Sequence, residues 1–381
     1  MVDVNQTARV EEPTVLVEAI DVAVTGVSLR CATGNQPFAL LGAVGNGMSL
    51  GQPDPLRKFP AQNREMITAV TCPAIDGLPN AAMRMRDLLI EVLTERFSDA
   101  GQIEPERTAI MLIVPPRNCP VRGAVADTEW KKLIRSLPGV HAGMAVHVVE
   151  HTGTTGEALV QATESLRTGE MDCVLVGAID SLLDFQEISS LAAEGRLVNG
   201  ASDGVVPGEA AVFLELRREE DVDADLLGVL RRLAIASEPE NGRVEETVLQ
   251  GLARACKTLA TDRAESLIIN LSGYPSRQLE WQQTENRIWP QRIDEEARAA
   301  MQAGELEAPQ PPERPGPEIL DPAFSLGATG ITEGLLGVTL ALARFEFDWP
   351  LCQRAWVLEL PDAPQRSVIQ VESATTKQTH N

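Results

Sequence analysis

The fold is indicated most clearly by residues 166–216, LRTGEMDCVLVGAIDSLLDFQEISSLAAEGRLVNGASDGVVPGEAAVFLEL. This stretch starts at the end of a helical segment and contains two candidate strands, CVLVGAI at 173–179 and AAVFLEL at 210–216. Upstream, TAIMLIV at 108–114 and AVHVVE at 145–150 add two more. Unbroken apolar runs of this kind are typical of strands that are covered on both faces. The alternation of such strands with helices predicts an α/β protein with a mostly parallel sheet.

Composition narrows the possible functions of this 381-residue chain. Its 33 basic and 55 acidic residues give a net charge of −22, which disfavours nucleic acids and anionic membranes as partners. No stretch approaches the roughly 20 apolar residues of a membrane span, and the polar N-terminus carries no secretory signal. Six scattered cysteines without a CxxC motif are typical of free thiols in a reducing compartment. We therefore expect a cytoplasmic protein with no nucleic-acid or membrane partner.

Two segments of the chain share a short pattern. HTGTTGEALVQATESL and SLGATGITEGLLGVTLAL each contain a G-x-T-G turn that is followed by an apolar helix. Their leading glycines, Gly153 and Gly327, lie 174 residues apart, which is close to half the chain length. Such spacing predicts an internal duplication, although so short a motif also arises by chance.

The segment DGVVPGEAA, Asp203 to Ala211, carries a resemblance to a known family. With the strand upstream of it, it resembles the β-ketoacyl synthases of the thiolase superfamily, with Ala210 in place of their usual glycine. VAVTGVSLRCATGN is similar to the opening strand and loop of that family. NLSGYPSRQLEWQQTE and SLGATGITEG are similar to its two histidine loops. The resemblance follows the family order over about residues 20–360.

The resemblance implies a thiolase-like, five-layered α/β/α/β/α sandwich made of two pseudo-symmetric halves. We expect a flexible N-terminal tail at 1–14, a first half at 15–220, a second half at 221–364 and a C-terminal tail at 365–381. The proline-rich segment at 297–317 is expected to be a surface loop. Members of the family form dimers, so a homodimer or pairing with another thiolase-like subunit is implied.

The family uses a cysteine nucleophile and two histidines, and its register can be carried onto this sequence. The cysteine position falls on Thr152, the first histidine on Ser272 and the second on Phe324. A lysine of the family falls on Ile319, and PDAPQR at 361–366 replaces the loop that gates the pocket. A threonine hydroxyl is not ionised near neutral pH, and Ser272 and Phe324 cannot replace imidazoles in stabilising an enolate.

Shifts of the register do not restore the family's catalytic residues. Residues 141–172 contain no cysteine, and the only histidine of the second half is His380. We therefore predict that the Cys-His-His set is lost and that the chain is a non-condensing binding, scaffolding or partner subunit. A vestigial acyl pocket would involve His151, Thr152, Gly153, Ser272 and Phe324.

An enzyme with altered catalytic residues is the alternative, either an acyltransferase of the β-ketoacyl synthase type or a hydrolase of acyl thioesters. Thr152 could be activated by His151 or Glu150, but adjacent residues at a strand end point to opposite faces. Thr152 is better interpreted as a small residue that caps the following helix. Among the thiols, Cys173 and Cys256 fit core packing, whereas Cys31 follows the first strand and should be more open.

Charge also bears on the partners that the resemblance suggests. Acyl carrier proteins are acidic, so docking to a chain of net charge −22 is possible but disfavoured. Lysines and arginines gather in WKKLIRS at 130–136, a pattern that is usually a solvated helix face. With four scattered histidines and no ligand motif, neither a metal nor another cofactor is expected.

Overall fold

The structure, a computed structural model, describes most of the chain. The described residues are 15–60, 66–77, 80–98, 104–198, 204–222, 226–238, 250–259, 264–289, 299–300, 302–304, 317–347 and 352–374. The predicted N-terminal tail, Asp203 and most of the predicted loop at 297–317 lie outside them.

The chain alternates strands and helices through two successive sets. The first set consists of β1 (Val15–Arg30), α1 (Pro37–Gly45), β2 (Gln52–Pro60), β3 (Met66–Thr71), α2 (Ala81–Ser98), β4 (Thr108–Val114), α3 (Asp127–Arg135), β5 (Ala145–Glu150), α4 (Gly156–Arg167), β6 (Cys173–Ser181), α5 (Phe185–Ala193) and β7 (Glu209–Arg218). The second consists of β8 (Gly228–Ser237), α6 (Gly251–Leu259), β9 (Ser266–Ile269), α7 (Pro275–Ile288), β10 (Glu318–Leu320), α8 (Pro322–Leu326), α9 (Glu333–Phe347), β11 (Arg354–Glu359) and β12 (Gln365–Ser373).

Ten strands form one sheet, in the order β10-β9-β11-β12-β8-β1-β7-β6-β4-β5, and β2 and β3 form a separate hairpin. When the sheet strands of each set are numbered one to five along the chain, both sets have the spatial order 3-2-4-5-1. The two sets join where β1 pairs antiparallel with β8. The repeated strand order confirms the predicted duplication.

The prediction of a mostly parallel sheet is wrong. Only β4 with β5 and β6, and β9 with β10 and β11, are parallel pairs. The remaining neighbours, including the long β1 with both β7 and β8, are antiparallel. The apolar runs show that these strands are covered on both faces, and burial of this kind does not specify strand direction.

Helices pack against the sheet in a central layer shared by the two halves and in an outer layer on each half. The central core packs α4 and α9 against strands of both halves, with Leu159 and Leu335 fully buried. Helices α2 and α3 pack on the outer face of the first half, and α6 and α7 pack on that of the second. All twelve residues of 334–345 in α9 are buried, as expected for a helix that is enclosed on all sides.

The C-terminal segment differs from its predicted role as a tail. Residues 365–373 form strand β12, which pairs with β11 and β8 and has five consecutive buried residues, 367–371. The second half therefore extends to Ser373, past its predicted limit at 364. The polar residues at the start of this strand obscure its pattern in the sequence. One of them, Arg366, is accommodated because it pairs with the carboxylate of Glu280 at 2.8 Å. Residues 375–381 lie outside the described part of the chain.

The segment that carries the family resemblance joins the two halves. Gly208 donates its N–H to the carbonyl of Ala328 at 2.9 Å, and the N–H of Ala328 donates to Val206 at 2.7 Å. A Cβ at Gly208 would lie 2.4 Å from the carbonyl oxygen of Leu326. Glycine is needed here because two backbones approach closely. The motif thereby holds the SLGATG turn of the other half in position.

Candidate functional site

A cavity of about 480 Å³ opens where the carboxyl ends of several strands meet the N-termini of α4 and α9. Its wall is contributed by residues within 116–122 after β4, 150–153 after β5, Leu182 after β6, Tyr274 and Arg277 of the α7 start, residues within 330–333 before and at the start of α9, and 359–363 after β11. Both halves of the chain therefore contribute to one site.

The turn before α4 contains three of the five predicted pocket residues, His151, Thr152 and Gly153, and all three line the cavity. Thr152 is exposed, and its hydroxyl donates a short hydrogen bond to the carboxylate of Glu157 in the first turn of α4. The N-cap residue of α4 is Thr155, so the interpretation of Thr152 as the helix cap is wrong.

The two central helices are held by carboxylates of the opposite halves. Glu359, at the end of β11, accepts the N–H of Thr155 at 3.1 Å and its hydroxyl at 2.9 Å. Asp180, within β6, accepts the N–H of Ile331 at 3.1 Å, in the turn that leads into α9. Because β6 and β11 are the fourth sheet strands of their halves, each half supplies an anion to the helix N-terminus of the other. Burial raises the pKa of both carboxyl groups.

Two arginines line the cavity, and each is paired with carboxylates. Arg122 lies 2.5 Å from Asp180 and 2.5 Å from Glu187, and Asp180 is the main cause of its raised pKa. Arg277 pairs with Glu333 at 2.9 Å and lies 3.7 Å over the centre of the Tyr274 ring. Burial is the main cause of the raised pKa of Glu333, and Arg277 opposes it.

His151 is the one imidazole on the described cavity wall. Burial lowers its pKa to about 4, and the nearby positive charge of Arg122 lowers it further in the same direction. The side chain is therefore neutral at pH 7. The hydroxyl of Thr152 donates to Glu157 and not to this imidazole, which agrees with the expectation that His151 is poorly placed to activate Thr152.

We expect the stability of the protein to depend on pH through His151. The unfolded chain binds a proton near pH 6.5, whereas the folded chain binds it only near pH 4, so stability is lost as the pH falls through this window. Because His151 is half-buried, wild type should lose about 2 kcal/mol more than His151→Gln between pH 7.5 and 4.5. Urea unfolding across this range measures the difference, and parallel pH profiles would contradict the prediction.

Ser272 and Phe324, the other two predicted pocket residues, do not line the cavity. Ser272 follows β9, and its N–H and hydroxyl donate to Asp321 at 2.8 Å and 2.7 Å. Phe324 lies on α8 with 51% of its surface exposed. The predicted pocket, in which Thr152 would be joined by these two residues, is therefore not the cavity that the structure forms. Tyr274 and Arg277 line the wall on that side.

Cys119 is a cavity residue that the sequence interpretation missed. It lies in the loop after β4, and its sulfur is 3.8 Å from Nη2 of Arg122. Burial raises the pKa of its thiol, and Arg122 opposes that effect. Its position after a buried strand is the signal that could have indicated it. β4 and β5 are parallel neighbours, so the loops at their carboxyl ends lie at one edge of the sheet. Cys31, which was expected to be open, is only 1% exposed.

The described residues contain neither a cluster of metal ligands nor a helix that could span a membrane. No group of three or more histidine, cysteine, aspartate or glutamate side chains there could hold a metal ion. Within the same residues, no helix combines the length and the apolar character needed to cross a bilayer.

Comparison with known proteins finds similarity at the level of structure. No family model and no curated protein matches the chain. A structure of a type II polyketide-synthase acyl-carrier protein in complex with its ketosynthase, bound to the hexaketide, matches with a TM-score of 0.67 and 14% identity, over 94% of this chain and 100% of that chain. The ketosynthase from module 6 of the Bacillus subtilis 168 bacillaene synthase gives a TM-score of 0.65 and 13% identity, over 93% and 72%.

A third match is the ishigamide ketosynthase/chain length factor, with a TM-score of 0.62 and 11% identity, over 93% of this chain and 99% of that chain. These neighbours share the architecture that the segment at 166–216 predicts.

Proposed function

Since the chain has the thiolase-like fold of ketosynthases and chain length factors, we propose that it is a non-condensing, ketosynthase-like binding or partner subunit. The observation that carries this proposal is the turn before α4. The position assigned to the family nucleophile holds Thr152, whose hydroxyl donates to the carboxylate of Glu157. A hydroxyl needs a strong base to attack a thioester, and the group that accepts the hydrogen bond of Thr152 is a carboxylate and not an imidazole.

The surroundings of Thr152 also support a non-condensing role. Decarboxylation and enolate formation need donors that stabilise developing negative charge. The imidazole of His151 is neutral at pH 7, because its pKa is about 4, so it brings a single N–H donor and no positive charge. The guanidinium groups of Arg122 and Arg277 are already paired with carboxylates. No free cation therefore faces the reacting position among the described residues of the cavity wall.

For a partner, we propose a second copy of the chain or another thiolase-like subunit. Structural neighbours include a ketosynthase/chain length factor and a ketosynthase in complex with its acyl-carrier protein. The net charge of −22 disfavours an acidic carrier protein, since like charges slow encounter. A cytoplasmic location stays a prediction.

The second candidate function is acyl transfer, and Cys119 is the observation that favours it. Its thiol shares the cavity with His151 and Thr152. The thiolate would attack the acyl carbonyl, the bond to the original thiol would break, and the leaving thiol would take up the proton. Burial raises the pKa of the Cys119 thiol, and this weighs against the reaction because the thiolate is the nucleophile.

Intact-mass spectrometry tests both functions. We expect no acyl adduct and no CO₂ release when the full-length protein is incubated with acetyl-, hexanoyl- and malonyl-coenzyme A. Thr152→Ala and Cys119→Ser should behave as wild type does. An adduct that Thr152→Ala abolishes would overturn the non-condensing proposal, and one that Cys119→Ser abolishes would establish the second candidate.

A further inference from the structure

The cavity wall carries more negative than positive groups. Its two cations, Arg122 and Arg277, are paired at 2.5–2.9 Å with carboxylates. Two further carboxylates, of Glu150 and Asp362, line the same space, as does the buried carboxyl group of Glu359, whose pKa is raised by burial. A cleft lined by groups of one sign concentrates counter-ions of the other sign. The wall therefore disfavours an anionic ligand.

The neighbours of these carboxyl groups do not reverse the charge inside the cavity. Asp362 pairs with Arg196 at 3.1 Å, but its carboxylate remains 67% exposed. Glu150 accepts the backbone N–H of Arg117 at 2.8 Å, and its carboxylate also lies 3.9 Å from Nε of Arg117 but remains 45% exposed. His151 adds no positive charge at pH 7, because its pKa is about 4. Glu150 and Asp362 are thus accessible carboxylates of the cavity wall, each paired with an arginine that does not line it.

An unsatisfied acceptor lies in the same wall. Glu333 uses Oε2 to bind Arg277, whereas its Oε1 is buried and has no hydrogen-bond partner among the described residues. A buried acceptor without a donor costs roughly 1–3 kcal/mol, and a ligand N–H can remove that cost. A ligand that donates hydrogen bonds would satisfy this oxygen.

We propose that the cavity binds a small organic cation whose ammonium group is held by Glu333 and Asp362. The volume of about 480 Å³ fits a small-molecule ligand. The inference rests on the proposed non-condensing function, because a site that processes malonyl groups must accept a carboxylate. The inference adds that the ligand is an organic cation and not a malonyl group.

Paired ligands of equal size and opposite charge test the proposal. Isothermal titration of the full-length protein at pH 7.5 with n-butylammonium and with butyrate compares them directly. We expect at least tenfold tighter binding of butylammonium, weakening as salt is raised. Asp362→Asn should weaken it three- to tenfold. Glu333→Gln should abolish the preference for the amine, because it also frees Arg277 to bind a carboxylate.

The matched control is Glu164→Gln, an exposed carboxylate on α4 that pairs with Arg167 outside the cavity. It should leave both affinities unchanged. Equal or tighter binding of butyrate, no binding of the amine, or an amine affinity insensitive to Asp362→Asn would overturn the proposal. Those outcomes would not change the expectation that no acyl adduct forms, so the proposed function would stand. An adduct on Thr152 would refute the proposed function whichever ligand binds.

Discussion

Replacing Glu209 by alanine is expected to destabilise the protein by about 3–5 kcal/mol, the largest effect of any single substitution proposed for this chain. Glu209 belongs to the PGEAA motif and is fully buried. Its carboxylate accepts from Nε and Nη2 of Arg84 at 2.6 Å each, from the hydroxyl of Ser181 at 2.8 Å and from the N–H of Ala74 at 2.8 Å. The alanine variant leaves a buried guanidinium and three further donors, the N–H groups of Ala74 and Ile75 and the Ser181 hydroxyl, without that partner.

Urea unfolding measures this effect, and a double-mutant cycle identifies its origin. Arg84→Met combined with Glu209→Leu should cost clearly less than the sum of the two single changes, because no uncompensated charge remains. Glu164→Ala, at an exposed carboxylate on α4, is the control and should change stability by less than about 0.5 kcal/mol. Additive single effects would show that the pair acts as two independent residues.

Gly334→Ala should destabilise the protein by about 3 kcal/mol, although alanine normally favours a helix. A Cβ at Gly334, in the first turn of α9, would lie 2.2 Å from Oε1 of Glu359 and 2.5 Å from Oγ1 of Thr155. These atoms form the hydrogen bond that holds the N-terminus of α4. The methyl group must therefore separate the two halves at the cavity.

Gly42→Ala in α1 is the matched control. No atom lies within 4 Å of the Cβ that it would introduce, so it should stabilise the protein by up to about 1 kcal/mol. Thermal or urea unfolding of both variants compares them. If Gly334→Ala does not change the free energy of unfolding, Glu359 can move away from Thr155 without cost. The hydrogen bonds between Glu359 and Thr155 would then contribute little to stability.

Local patterns in the sequence were sufficient for many elements of the fold. The strands predicted at 108–114 and 145–150 have the same bounds as β4 and β5, and the strand predicted at 173–179 lies within β6, Cys173–Ser181. Apolar periodicity identifies these elements because each buries a continuous face. β12 was missed because Gln365, Arg366 and Ser367 are polar.

The candidate site was predicted only in part. His151, Thr152 and Gly153 follow a strand and precede a helix, so their place at the elbow could be predicted from local order. Ser272 and Phe324 were placed by register with the family. The actual wall depends on how loops cross the sheet edge, which brings in Cys119 and Arg277 instead, and register alone does not specify this.

The duplicated α/β architecture, the net charge of −22 and the absence of a cysteine between 141 and 172 all follow from the order of amino acids along the chain. These properties depend on composition and on neighbours along the chain. The set of groups that share the cavity depends on the folded arrangement, because its walls come from strand ends that are distant in sequence. Glu359 caps the helix at Thr155 across 204 residues. Strand order creates that contact, since it brings a carboxylate on the fourth strand of each half to the turn that precedes the central helix of the other.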